Sequence, residues 1–83
     1  MSVEYYRKRL IDLRTQVARE REMKKKDNQH YAELIKNATS PSSKASWRKT
    51  KVDRAASHDR RIESLKREIE NAKDALARER KKK

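Results

Sequence analysis

Asn37-Ala38-Thr39-Ser40-Pro41-Ser42-Ser43 is the stretch whose reading decides the fold. It is the one Ser/Thr/Pro cluster and it holds the one proline of the chain. Proline suits the first position of a helix, where its missing N–H has no partner to lose and its fixed φ is already helical. Ser40 stands where an N-cap hydroxyl accepts from the first free backbone N–H groups. Asn37 is a suitable last residue for the helix before. The seven residues therefore read as a stop followed at once by a start. They predict helix 1 over about 3–37, a turn over about 38–41 and helix 2 over about 41–80. Lys81-Lys82-Lys83 form a basic tail that complements the negative end of a helix dipole. At the other end Ser2 is a candidate N-cap, with Glu4 in the first turn.

Outward from the break, the apolar residues recur every three or four positions, the period of one helix face. In helix 1 they are Val3, Tyr6, Leu10, Leu13, Val17, then Tyr31, Leu34 and Ala38. The same register crosses a polar gap at Glu20, Lys24 and Asp27. In helix 2 the stripe is Ala55, Ile62, Leu65, Ile69, Ala72 and Leu76. Nearer the break this register meets Lys44, Arg48 and Lys51, and the apolar set is expected to slip sideways to Ala45, Val52 and Ala56, as a straight helix drifts from a seven-residue repeat. A short connection makes the helices antiparallel neighbours. Folded that way, Leu10 faces Ile69, Leu13 faces Leu65, Val17 faces Ile62 and Val3 faces Leu76, each pair of numbers summing to 78 or 79. The rule sets Tyr31 and Leu34 against Arg48 and Ala45, close to Trp47, and the polar middle of helix 1 against Lys51 to Asp59. Apolar meets apolar and polar meets polar in one register, the consistency expected of a foldable sequence.

The expected fold is thus all-α: residues 1–83 as one antiparallel two-helix hairpin, coiled-coil-like, completing a four-helix assembly by self-association or partner docking. The seam residues are Leu10, Leu13, Val17, Tyr31, Leu34, Ile62, Leu65, Ile69 and Leu76. A two-helix seam buries each side chain only partly while both helices must be ordered, so a lone hairpin is marginal. Tyr5, Ile11, Met23, Ile35 and Trp47 lie off the main stripe and are candidates for a further contact. Glu20–Lys24, Glu22–Lys26, Glu63–Arg67 and Asp74–Arg78 have the i,i+4 acid-first order that supports a helix.

Composition excludes much else. Of 83 residues, 25 are Lys or Arg and 13 are Asp or Glu, for a net charge of +12, and only 33% are apolar. Such a chain cannot fill a deep globular core. Without cysteine it has neither disulfides nor thiolate-bound metal. Without glycine, tight β-turns and sharply bent active-site loops are unfavourable. No enzyme, cofactor or small-molecule substrate is expected. No apolar run approaches the ~20 residues of a membrane span and no secretory leader is visible, so the expected location is cytoplasmic.

The positive charge has two readings. The densest patch is Lys44, Trp47, Arg48, Lys49, Lys51 and Arg54, opposed only by Asp53. It is either a solvated helix face that keeps the hairpin soluble, with Trp47 packed near the turn, or a surface for a polyanion such as DNA or RNA, with Trp47 free to stack on a base. No recognition-helix or zinc-finger pattern is present, so any nucleic-acid binding is expected to be sequence-nonspecific. His30 and His58 do not face one another in the hairpin register, and no set of ligands converges on either. Both read as structural, not as metal ligands. Glu20, Asp27 and Asp59 read as salt-bridged residues that set the register of the polar middle. The partners expected are a second copy or a helical protein, with DNA or RNA as the alternative.

Two family likenesses bear on function. Trp47 just past a midpoint break invites comparison with the secreted helical hairpins of the WXG type. That family's glycine is missing from Trp47-Arg48-Lys49 and the tryptophan lies inside the second helix, so the chain is not assigned there. Ser40-Pro41-Ser42-Ser43-Lys44, running into Arg60-Arg61-Ile62-Glu63-Ser64-Leu65 and Ile69, resembles the basic helical N-terminal segments of bacterial immune and signalling effectors that carry Toll/interleukin-1-receptor-type domains. The likeness covers about half of the chain. It implies an oligomerising or sensing module whose catalytic partner lies elsewhere.

Overall fold

The computed structural model describes residues 2–82 and contains two helices, α1 over Val3–Asn37 and α2 over Pro41–Lys81. Lys83, part of the expected basic tail, lies outside the described residues. The helices form an antiparallel hairpin whose Cα envelope measures 66 × 14 × 11 Å. That length is close to the ~1.5 Å per residue of one straight helix the size of α2. No strand occurs among the described residues.

Each helix begins at a serine. The Ser2 side chain accepts from the Tyr5 N–H, and the Ser40 side chain accepts from the Ser43 N–H at 3.2 Å. Pro41 occupies the first turn of α2. Ser2, Ala38 and Ser40 are all extended, so the chain leaves α1 and enters α2 without any residue at positive φ. A turn that needs no left-handed residue needs no glycine, which accounts for a tight reversal in a chain that has none.

The seam is greasiest away from the turn. Leu10, Leu13, Ala72 and Leu76 are buried together, with Val3, Tyr6, Leu65 and Ile69 packed against them. Leu13 is the most enclosed side chain, 1% exposed. Val17 and Ile62 are buried as well. At the turn end Tyr31 and Trp47 bring their rings to a centroid distance of 5.9 Å, and Leu34 is half-buried beside that end of the seam.

Three expectations need correction. The sideways slip in α2 does not occur at Ala45 or Val52, although Ala56 is half-buried. Ala45 is exposed, and Val52 is 66% exposed, while Lys44, Trp47 and Lys51 are half-buried. The Trp47–Tyr31 contact and the paired charges described below hold α2 in the strict register. Lysine stems then supply the apolar surface that Ala45 and Val52 would have given. Trp47, not Arg48, lies against Tyr31, and Arg48 is exposed. Of the five side chains expected off the stripe, Tyr5, Ile11 and Met23 are exposed, but Ile35 and Trp47 are half-buried.

Candidate functional site

The polar middle is where chemistry concentrates. Applied to Glu20, the pairing register that sets Val17 against Ile62 points to His58. The structure joins the two: Glu20 and His58 are both buried, with His58 Nδ1 2.5 Å from Glu20 Oε1. The other ring nitrogen, Nε2, is 2.6 Å from Asp27 Oδ2. Glu20 and Asp27 are seven residues apart, two turns along one face of α1, so a single imidazole from α2 spans the gap between them.

Both neighbours of the ring are carboxylates, which only accept. Both ring nitrogens must therefore donate, and the bonded form is the imidazolium. The bond to Asp27 and then the bond to Glu20 hold the His58 pKa above its ordinary value, against the opposing effect of burial. In return, the His58 hydrogen bond and the Arg54 guanidinium hold the Asp27 carboxyl below the usual carboxylate range. Three further cations close the cluster. Arg54 pairs with Asp27 at 3.1 Å, Arg61 with Glu20 at 3.5 Å, and Lys24 crosses to Asp59 at 2.7 Å. No buried side-chain nitrogen or oxygen among the described residues lacks a partner.

Glu20, Asp27 and Asp59 are salt-bridged across the seam. The expected Glu20–Lys24 pair within α1 does not form, because Glu20 turns to His58 and Arg61 while Lys24 turns to Asp59. Glu22–Lys26, Glu63–Arg67 and Asp74–Arg78 are likewise not among the ion pairs of the described residues. Those within a helix are Lys73–Glu70 and Lys82–Glu79.

The cluster clamps α2 to α1 through one ring. Its imidazolium has no free lone pair to take a proton while both carboxylates hold it. The carboxylates lie on opposite nitrogens of one ring and do not converge on a common point, and among the described residues no group of His, Asp and Glu is arranged to hold a metal ion. His30 is exposed and packs edge-on against Tyr31.

The six residues of the candidate polyanion patch are distributed over more than one side of the hairpin. Lys44 and Lys51 are half-buried in the seam, Trp47 lies on Tyr31, and Arg54 is committed to Asp27. Arg48 and Lys49 are exposed and form no ion pair among the described residues. Of the named seam residues, Leu10, Leu13, Val17, Ile62 and Leu76 are buried, and Tyr31, Leu34, Leu65 and Ile69 are half-buried.

Comparison of the chain with protein-family models, with curated proteins and with solved structures finds no match. Among the described residues no helix is long and apolar enough to cross a membrane. The functional reading therefore rests on the hairpin itself.

Proposed function

We propose that the chain is a non-enzymatic helical interaction module, one that self-associates towards a four-helix assembly or docks a helical partner protein. The observation that carries this reading is the thinness of the apolar seam. Six apolar residues are buried among those described, Leu10, Leu13, Val17, Ile62, Ala72 and Leu76, and the row is interrupted midway by a charged layer. Two helices with one narrow seam leave both flanks of that seam open, and a fold this slender gains most of its stability from whatever closes them. The charged layer adds little net stability of its own, but a buried polar pair at one seam position is a device for fixing register and partner number. Such a role agrees with the oligomerising or sensing module implied by the likeness to effector N-terminal segments. Sedimentation equilibrium and thermal melting over a wide concentration range test the self-association arm. Helicity and melting temperature should rise together with protein concentration. A chain that stays monomeric and keeps its full helicity on dilution contradicts that arm.

A second reading, a sequence-nonspecific nucleic-acid-binding hairpin, is favoured by one observation: Arg48 and Lys49 are exposed with no carboxylate partner among the described residues. Affinity for a thymidine oligonucleotide should then fall linearly in log–log terms with salt. Binding that survives Lys49→Glu with Lys51→Glu removes this patch from consideration.

A further inference from the structure

The two flanks of the seam differ in charge. One flank is internally neutralised across the helices: Arg9 pairs with Glu68, Arg61 with Glu20 and Arg54 with Asp27. The opposite flank has one such pair, Lys24 with Asp59 nearer the turn, and beyond it a groove of about 270 Å³ lined by Arg14, Val17, Ala18, Arg21, Lys66 and Ile69. Three of those six residues are cations and none is an acid. Arg14, Arg21 and Lys66 are exposed, and they form no ion pair among the described residues. Arg14 and Lys66 stand on opposite helices of one groove, so like charges face each other across the seam, an arrangement that costs stability.

The floor and shoulder of this groove are apolar. Val17 and Ile69 come from the seam, Ala18 is exposed at the rim, and Ile11, 65% exposed, lies seven residues before Ala18 on the same line of α1. Along that line Ile11, Arg14, Ala18 and Arg21 follow each other at spacings of three and four, a second helical stripe in which aliphatic and guanidinium groups alternate.

We infer that this groove is a docking site for a third helix, an acidic amphipathic one. Its aliphatic residues would cover Ile11, Ala18 and the edge of Val17, and its carboxylates would meet Arg14, Arg21 and Lys66. The inference rests on the interaction-module reading and names the surface and the partner chemistry. Charge selects among occupants. A second copy of this face would bring guanidiniums onto guanidiniums. A phosphate backbone satisfies the cations but leaves Ile11 and Ala18 against a charged, hydrated surface. A helix with acids flanking an aliphatic stripe satisfies both, and repeats along its axis at the spacing of the arginines.

The test uses the full chain and a fluorescent synthetic peptide with leucine at the seam positions of each heptad and glutamate at the flanking ones, followed by anisotropy. Arg14→Glu with Arg21→Glu should weaken binding about tenfold or more. Arg60→Glu with Arg67→Glu, on the outer side of α2, makes the same change in net charge and should leave binding within about twofold. Circular dichroism confirms that both variants remain helical. Equal loss in the two variants shows attraction by net charge alone and overturns the docking site. So does a thymidine oligonucleotide that displaces the peptide and is itself lost with Arg14→Glu and Arg21→Glu. If the peptide does not bind while those two substitutions change the self-association measured by sedimentation, the acidic-helix proposal fails and the module reading stands. If the peptide does not bind and no self-association is seen, the acidic-helix proposal and the self-association arm of the module reading both fail.

Discussion

Replace His58 by leucine, and the two carboxylates that it bridges lose their shared donor. Glu20 is the more enclosed of them, 12% exposed, and its one remaining partner is Arg61 at 3.5 Å, itself largely in solvent. A buried polar group left short of a partner costs about 1–3 kcal/mol. For a hairpin this slender, that is a large share of its stability. Adding Glu20→Leu to His58→Leu removes the stranded charge. It also extends the row formed by Val17 and Ile62 through one more layer, while Asp27 keeps Arg54. Replacing a buried ion pair by apolar side chains is commonly neutral or stabilising by about 1–4 kcal/mol. The double variant should therefore recover all that the single one lost, and its midpoint should lie at or above that of the parent. Urea unfolding followed by far-UV circular dichroism, at one fixed protein concentration, measures all three. A double variant as weak as His58→Leu alone would refute the reasoning, because the loss could then not come from the stranded Glu20.

The pH dependence has a definite sign on each side. The His58 pKa is raised in the folded chain, so its contribution is complete below about 6.5 and is lost as pH rises through the raised folded value. The Asp27 pKa is lowered, so its contribution is complete above about 3.9 and is lost as pH falls through the depressed value. Melting temperature should peak between these limits, and His58→Leu should abolish the alkaline decline and shrink the acid one to the part that Arg54 maintains. Leu13→Ala, at the most enclosed position, should cost about 2–3 kcal/mol, towards the low end for leucine because an open seam relaxes around the gap, whereas Ile11→Ala should change folding by less than about 0.5 kcal/mol. Equal effects in urea melts would mean that the seam is misplaced. Ser40→Ala removes the acceptor of the Ser43 N–H and should cost about 1 kcal/mol, seen as faster hydrogen exchange of the Ser43 and Lys44 amides, with Ser40→Asp close to the parent.

The hairpin was legible because its signals are local and redundant. Ser40 and Pro41 mark a helix start by chemistry that does not depend on the rest of the fold, and Leu10, Leu13 and Val17 find matching partners at Ile69, Leu65 and Ile62 in a single register. The stretch from Lys44 to Val52 is less legible. There the apolar pattern of α2 is carried by alanine and valine one position aside from the stripe. Tertiary contacts that no window of sequence displays, Trp47 on Tyr31 and His58 between Glu20 and Asp27, outweighed it. The His58 clamp was within reach. The arithmetic that pairs Leu13 with Leu65 also pairs Glu20 with His58, and an acid set opposite a histidine across a seam is itself the signal of a buried ion pair. The uneven charge of the two flanks was not legible as blocks, since Arg14, Arg21 and Lys66 are far apart in sequence and become neighbours only when the helices are laid side by side.

The single reversal at Ser40 and Pro41 also sets the mechanics of the molecule. Ser2, Val3, Glu4, Arg7, Glu79 and Lys82 line one common hollow, so the first and last described turns meet at one pole. The turn stands at the opposite pole of an envelope 66 Å long. Anything tethered to either end of the rod is carried at the same foot, and the Tyr31–Trp47 tip is held out from it like the head of a mast. A load on that tip is borne along two shafts whose footings are side by side, so the rod transmits a push or a twist from head to foot without a hinge between them.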